Sequence, residues 1–394
     1  MSTARDSAET SPLPAISRLL IAVMAAAAGV TVANNYYNQA MLSHLVHEFH
    51  VSAGTVSLIP VLTQLGNVAG IVFLAPLGDR CERRSLILGT MTALIVALAM
   101  AAISPDFVWL AVAGLGIGLF ATVTQQIVPF AVHLAAPQER GRVLGVVTGG
   151  ILIGILLART ISGTISDVWG WPAVFWAAAG MTLATAVALA ATLPRAEAVT
   201  ELSYRQLLAS LWTLLRRHRV LRRAVVIQAL IFAAFIAFWS NLAMVFDGAP
   251  YHLGATAVGL MALVGVVGAL AAPIAGRFAD LRGPNAVVTT GAGLVVLAFA
   301  ILGLIQGTLL AMIVGVLVMD LAVQSSQVAN QTLVYGLDPN ARSRLNTIFM
   351  ATMIFGGACG SGIGGIAFAL WGWSGTCMFG ATAACLALIL SLRN

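Results

Sequence analysis

The sequence predicts an all-α integral membrane protein, with twelve transmembrane helices in two pseudo-symmetric six-helix bundles. Three observations point there: long apolar runs fill nearly the whole chain, the two halves repeat short motifs in one register, and the arginines gather on alternate connections. With 60% hydrophobic residues, 9% charged residues and a mean hydropathy of +0.96 over 394 positions, the chain is far more apolar than a soluble domain. A span takes about 20 apolar residues, so twelve of them with short turns use up the length. Helices satisfy their own backbone groups in lipid. The other solution, a closed barrel, would show alternating ten-residue segments that this sequence lacks.

Taken in order, residues 1–16 form a polar tail expected in the cytoplasm. The first apolar run, about 19–42, is too long for the core of a cleavable signal and reads as span 1. Spans at about 53–76, 85–104, 108–134, 143–166 and 171–193 complete an N-terminal bundle over 17–193. A basic cytoplasmic linker follows over 194–221. Its Ser203-Tyr204-Arg205-Gln206 is a capping box, and Leu207, Leu208, Leu211, Trp212, Leu214 and Leu215 beside Arg216, Arg217 and Arg219 suggest a surface-lying basic helix. The C-terminal bundle, 222–394, holds spans at about 222–246, 256–278, 285–305, 308–335, 345–369 and 373–392.

With the N-terminus inside, every arginine except Arg159 falls in a cytoplasmic segment. The net charge of +6 therefore reports membrane orientation, and nucleic acid is not an expected partner. The chain contains no lysine, which excludes a phosphate-loop ATPase and a Schiff-base enzyme. No serine, histidine and acid share a depth, so an enzyme is not expected. Cys81, Cys359, Cys377 and Cys385 are scattered and show neither a metal spacing nor a disulfide framework. His44, His47 and His50 recur every third residue beside Glu48. The turn there reads as short and solvated, and neither a metal nor a cofactor is expected.

The halves repeat. Pro137-Gln138-Glu139-Arg140-Gly141-Arg142 matches Pro339-Asn340-Ala341-Arg342-Ser343-Arg344, and Trp169-Gly170-Trp171 matches Trp371-Gly372-Trp373, both at an offset of 202. An even number of spans per repeat makes both halves enter the membrane in the same sense. A charged turn, Ala75-Pro76-Leu77-Gly78-Asp79-Arg80-Cys81-Glu82-Arg83-Arg84, is echoed by Gly276-Arg277-Phe278-Ala279-Asp280-Leu281-Arg282-Gly283. Here the chain resembles the major facilitator superfamily, whose loop between spans 2 and 3 reads G-x-L-A-D-R-x-G-R-R. Ala75 and Glu82 stand in place of its glycines. The resemblance implies that this loop steadies one conformation of an alternating-access cycle, a role that falls to Asp79, Arg80, Arg83 and Asp280.

The resemblance also implies that spans 1, 4, 7 and 10 line a central cavity. Span 10 carries Asp320, Gln324, Gln327 and Gln331 at spacings of 4, 3 and 4, which puts them on one face, with Asn330 nearby. Span 4 supplies Thr122, Gln125 and Gln126; span 1 supplies Asn34, Asn35, Tyr36, Tyr37, Asn38 and Gln39; span 7 supplies Gln228, Trp239, Ser240 and Asn241. Such amides otherwise serve to join helices.

Arg159 and Asp320 are the charges left within spans. Arginine at mid-span costs at least about 2.5 to 3.5 kcal/mol and so needs an anion, carbonyls or water. Both lie in the outer half, at about 25 Å and about 33 Å along their helices, where a long guanidinium side chain reaches toward the acid. The stretch Gly154-Ile155-Leu156-Leu157-Ala158-Arg159-Thr160-Ile161-Ser162-Gly163 resembles the span 5 motif of drug/proton antiporters, G-x-x-x-G-P-x-x-G-G, with Arg159 in place of the proline. That likeness implies proton coupling, for which Arg159 and Asp320 are the best candidates. The expected function is a proton-coupled secondary transporter that exports a small organic compound. The alternatives are a sugar or nucleoside transporter, or a non-transporting sensor of the same fold. The expected partners are a small-molecule substrate, protons and the bilayer. The chain is expected as a monomer in a bacterial inner membrane, with both termini cytoplasmic.

Overall fold

The fold is that of a computed structural model describing residues 17–195, 204–270, 283–338 and 341–393, without the side chains of residues 79 and 266–270. The tail 1–16, Ser203 of the capping box, Pro339 and Asn340 of the repeat, and Asp280 with its loop lie outside the described residues. The N-terminal half comprises α1 (Arg18–Ala33), α2 (Tyr37–Ala40), α3 (Leu42–Phe49), α4 (Ala53–Val56), α5 (Leu58–Ala69), α6 (Arg83–Ala102), α7 (Phe107–Ala121), α8 (Thr124–Leu134), α9 (Arg140–Trp169) and α10 (Trp171–Thr192). The linker helix α11 (Tyr204–Arg217) leads to α12 (Arg219–Asp247), α13 (Ala255–Leu270), α14 (Pro284–Leu304), α15 (Leu309–Tyr335) and α16 (Arg342–Leu392). Among the described residues there is no strand.

Nine helical segments among those residues are long and apolar enough to cross a membrane. The longest, α16, breaks at Gly372 and so holds two spans. Two shorter apolar helices, Arg18–Ala33 and Ala255–Gly265, complete the expected set. Large apolar side chains such as Leu304, Leu310 and Val108 point outward, as they do where lipid is the solvent.

Span 1 departs from the continuous run expected over 19–42. Its helix stops at Ala33 and resumes as α2 and α3, which extend to Phe49. The amides of Asn34 and Asn35 explain the break: their Nδ2 groups donate to the carbonyls of Val30 (2.9 Å) and Val32 (3.3 Å), competing with the helical ladder. Span 4 is interrupted in the same way at Thr122, whose hydroxyl donates to Leu119 O at 2.6 Å. Span 2 ends in a π-helical turn, Gly70–Leu74, and a 3-10 turn, Ala75–Asp79, where Pro76 withholds a backbone donor.

The repeated Trp-Gly-Trp motifs are the turns between paired spans, and their glycines take positive φ, 82° at Gly170 and 59° at Gly372. The two charged turns solve one problem differently. Glu82 caps α6 by accepting from the N–H groups of Arg84 (3.1 Å) and Ser85 (2.7 Å), whereas Gly283 opens α14 with φ 83°. Helix pairs within each half touch backbone to backbone. A Cβ on Gly154 would sit 2.1 Å from Gly29 O, and one on Gly356 would sit 2.3 Å from Ala229 O. Within the span 5 motif Gly154 thus brings α9 against α1, Gly163 brings it against Ala255 of α13 in the other half, and α9 runs unbroken through Arg159.

Candidate substrate-binding cavity

Between the halves lies a cavity of about 830 Å³. It is bordered at the arginine-rich end by Pro76, Gly78, Arg83, Ser343, Arg344 and the linker residues Leu207 and Leu211. Arg83 Nε donates to Gly78 O at 3.2 Å and its guanidinium lies 5.7 Å from the Phe130 ring, while Arg80 is exposed. The linker helix is tied down by the Tyr204 hydroxyl, which donates to Phe73 O at 2.9 Å.

The opposite end is closed by contacts between the halves. Asp167, near the end of α9, accepts from the backbone N–H groups of Ala255 (3.1 Å) and Thr256 (2.7 Å) and from the Thr256 hydroxyl (2.6 Å). A carboxylate from one half therefore caps the first turn of a helix in the other. His44 Nε2 stands 3.3 Å from Asp167 Oδ1, and its Nδ1 is 3.1 Å from Ser166 Oγ. His47 Nε2 lies 2.9 Å from Asp247 Oδ2 of the C-terminal half. Span 2 meets span 11 where a Cβ on Gly365 would fall 2.3 Å from Ser57 Oγ. The histidine stretch is helical where a short turn was expected: α3 carries His44 and His47 to this seal, with the His47 side chain 70% exposed.

Many of the residues expected on the wall are there. Asn35, Thr122, Gln125, Gln126, Trp239, Gln324, Gln327 and Gln331 line the cavity together with Arg159 and Asp320. The others lie off that wall. Asn34 is turned onto its own helix, Tyr37 is buried in the core, and Asn38 Nδ2 donates to Thr63 Oγ1 at 3.1 Å. Asn241 Nδ2 donates to Thr376 Oγ1 at 3.0 Å, and Asn330 Nδ2 donates to Gln228 Oε1 at 3.1 Å. Asn38, Asn241 and Asn330 with Gln228 thus join neighbouring helices, while Asn34 bonds its own. Gln331 is on the wall but is tied to Tyr335 Oη (2.7 Å) and Asn346 Oδ1 (3.2 Å). Asn67, Tyr335 and Asn346 are wall residues that sequence reasoning missed. Asn67 carried a signal, as an amide one helical turn from Gln64 in span 2, and Tyr335 stands one helical turn beyond Gln331.

Arg159 and Asp320 both face the cavity, and both are nearly inaccessible, at 3% and 6% exposure. They are near enough to influence one another electrostatically but do not form an ion pair. Arg159 Nε donates to Gln39 Oε1 at 2.9 Å. Its guanidinium carbon lies 4.3 Å from the ring centre of Trp239 and 5.0 Å from that of Tyr36, so two aromatic faces hold the cation. Nη2 has no hydrogen-bond partner. Asp320 rests against Gly265 of α13, where an added Cβ would lie 2.9 Å from Oδ2, and that oxygen is also unpartnered.

A cavity between two bundles, largely apolar with polar and charged side chains set into its wall and closed at one end by contacts between the halves, is the architecture of a transporter. The sequence matches the family model of the Major Facilitator Superfamily over residues 19–335 and 251–393, and the chain belongs to that family. It is 38% identical to the "Uncharacterized transporter YgaY" of Escherichia coli O157:H7 over 98% of both chains. It is 32% identical to the "Probable transporter SCO4007" of Streptomyces coelicolor, over 95% of this chain and 87% of that one. Solved structures share the fold at low identity. The nucleoside transporter NupG aligns with TM-score 0.77 and 12% identity over 95% of this chain and 99% of its own. A bacterial homologue of the human lysosomal transporter Spinster, inward-facing and unoccupied, aligns with TM-score 0.71 and 15% identity over 97% and 95%.

Proposed function

We propose that the protein is a proton-coupled exporter of a small organic compound, working as a monomer in a bacterial inner membrane by rocking its two bundles around the cavity. One observation carries the reading: Asp320 is a buried acid on the cavity wall with an unpartnered oxygen, beside a cation that is held elsewhere. Burial disfavours a carboxylate and a nearby cation favours it, so movement of Arg159 or arrival of substrate changes how readily Asp320 holds a proton. The excess of arginine at the linker end of the cavity supports the reading that this end, with both termini, faces the cytoplasm. A cavity open there takes its cargo from the cytoplasm, the direction export requires. On this reading the halves are 17–193 and 222–394, joined by the linker 194–221. Asp79, Arg80, Arg83 and Asp280 steady one conformation of the alternating-access cycle.

The test is a trapped pH dye in proteoliposomes bearing an acid-inside gradient, to which lipophilic cations, nucleosides, sugars and amino acids are added. Proton movement that follows one class of compound, and is lost in Asp320→Asn protein that inserts normally, supports the reading. Undiminished pH-driven transport by Asp320→Asn would refute it.

A further inference from the structure

We infer that the cavity selects a small zwitterion, with the carboxylate of the ligand on Arg159 and its ammonium group on Asp320. The inference rests on the transporter reading of this cavity and names its substrate class. Two opposite full charges line one cavity, each more than nine-tenths buried, and neither uses the other as its partner. Each also keeps a buried polar atom, Arg159 Nη2 and Asp320 Oδ2, without a hydrogen bond. Leaving such atoms unmade is costly, and a charged group without a partner costs most.

The fixed geometry of Arg159 favours an anion there. Nε is taken by Gln39, and the faces of Trp239 and Tyr36 hold the guanidinium plane. The remaining edge carries Nη2, in the planar fork that matches a carboxylate. Trp239 Nε1, buried and unpartnered on the same wall, is a further donor for that anion. At the other pole the Asp320 carboxylate offers only acceptors, and the missing side chain of Gly265 is what lets it sit against α13. The other charged or titratable side chains on the wall are Tyr36, Arg83, Tyr335 and Arg344, so Asp320 is the one described acid there. An anion-only ligand would leave Asp320 unmatched, and a cation-only ligand would leave Arg159 so. A zwitterion satisfies both poles and keeps the occupied cavity neutral. An ammonium group and a proton also compete for the same oxygen of Asp320, which gives exchange between them a physical basis.

The experiment is calorimetric binding to purified full-length protein with no pH gradient. The ligands are unbranched amino acids from glycine to 6-aminohexanoate and L-phenylalanine, each alongside its methyl ester and its N-acetyl derivative. The expected result is that at least one parent compound binds ten times or more tightly than both of its blocked forms. Asp320→Asn should bring that parent down to the level of its N-acetyl form while leaving the N-acetyl form unchanged. Arg159→Gln should bring it down to the level of the ester while leaving the ester unchanged. The retained binding of one blocked form shows that each variant is folded. Equal binding of parent and blocked forms, or no preference for any parent, overturns the inference. Proton coupling is not measured here, so a zwitterion binder that moves no protons would overturn only the coupling.

Discussion

Asp167 of α9 caps α13 across the interface between the halves, receiving the backbone N–H groups of Ala255 and Thr256 and the Thr256 hydroxyl. These contacts exist only while the face opposite the arginine-rich end is closed, so they bias the alternating-access balance toward the state described here. The bias is local in origin: a helix N-terminus favours an anion, and the anion comes from the other bundle.

Removing that cap should therefore open the sealed face. Hydrogen bonds to a charged group contribute about 1.5 to 3 kcal/mol, so Asp167→Ala should shift the balance roughly ten- to a hundredfold. Spin labels at Glu48 and Gln306, both exposed, would report it as growth of a longer distance. An unchanged distance distribution would mean that Asp167 does not hold the seal.

His47 and Asp247 also meet across the seal, but their side chains are 70% and 46% exposed. An exposed pair contributes at most about 1 kcal/mol, so His47→Ala should move the same labels far less than Asp167→Ala. An equal or greater shift would reassign the seal to the histidine.

Trp239 covers the guanidinium of Arg159 at 4.3 Å. Its removal strips a buried cation of a contact that contributes about 2 kcal/mol, so Trp239→Ala should weaken ligand binding by roughly tenfold or more, with Trp239→Phe in between. Arg159→Lys keeps the charge but loses the planar fork that stacks between two rings and reaches Gln39. It should be as damaging as Trp239→Ala, and wild-type binding by the lysine variant would show that charge alone suffices.

Gly265→Ala would place a methyl group 2.9 Å from Asp320 Oδ2. The acid must turn away or the helices must separate, and overpacking of this kind costs about 1 to 3 kcal/mol. The expected outcome is normal insertion with loss of pH-driven transport, measured in the dye assay. Retained transport would show that Asp320 does not need its place against α13.

Much of this molecule is written in local sequence. The apolar runs, the uneven placement of arginine and the repeated Trp-Gly-Trp turns follow from hydropathy and backbone geometry, which act within one helix or one turn. They were enough to give the spans, the two halves and the polar face of α15 that carries Asp320, Gln324, Gln327 and Gln331. They also singled out Arg159 and Asp320, because a full charge within an apolar run is conspicuous wherever the rest of the chain lies.

Only the tertiary structure decided what those residues meet. Neighbouring Asn34 and Asn35 read alike in sequence and both donate to carbonyls of their own helix, yet of the two it is Asn35 that lines the cavity. Asn330 and Gln324 share a helix, but one joins α12 and the other faces the cavity. Arg159 met two aromatic rings and Gln39 in place of the acid that helix depth suggested, and Asp167 found its partners in the other half. Period and hydropathy fix the face of a helix only relative to its own axis. Which neighbour that face meets depends on helix rotation, on breaks and on contacts far apart in the chain.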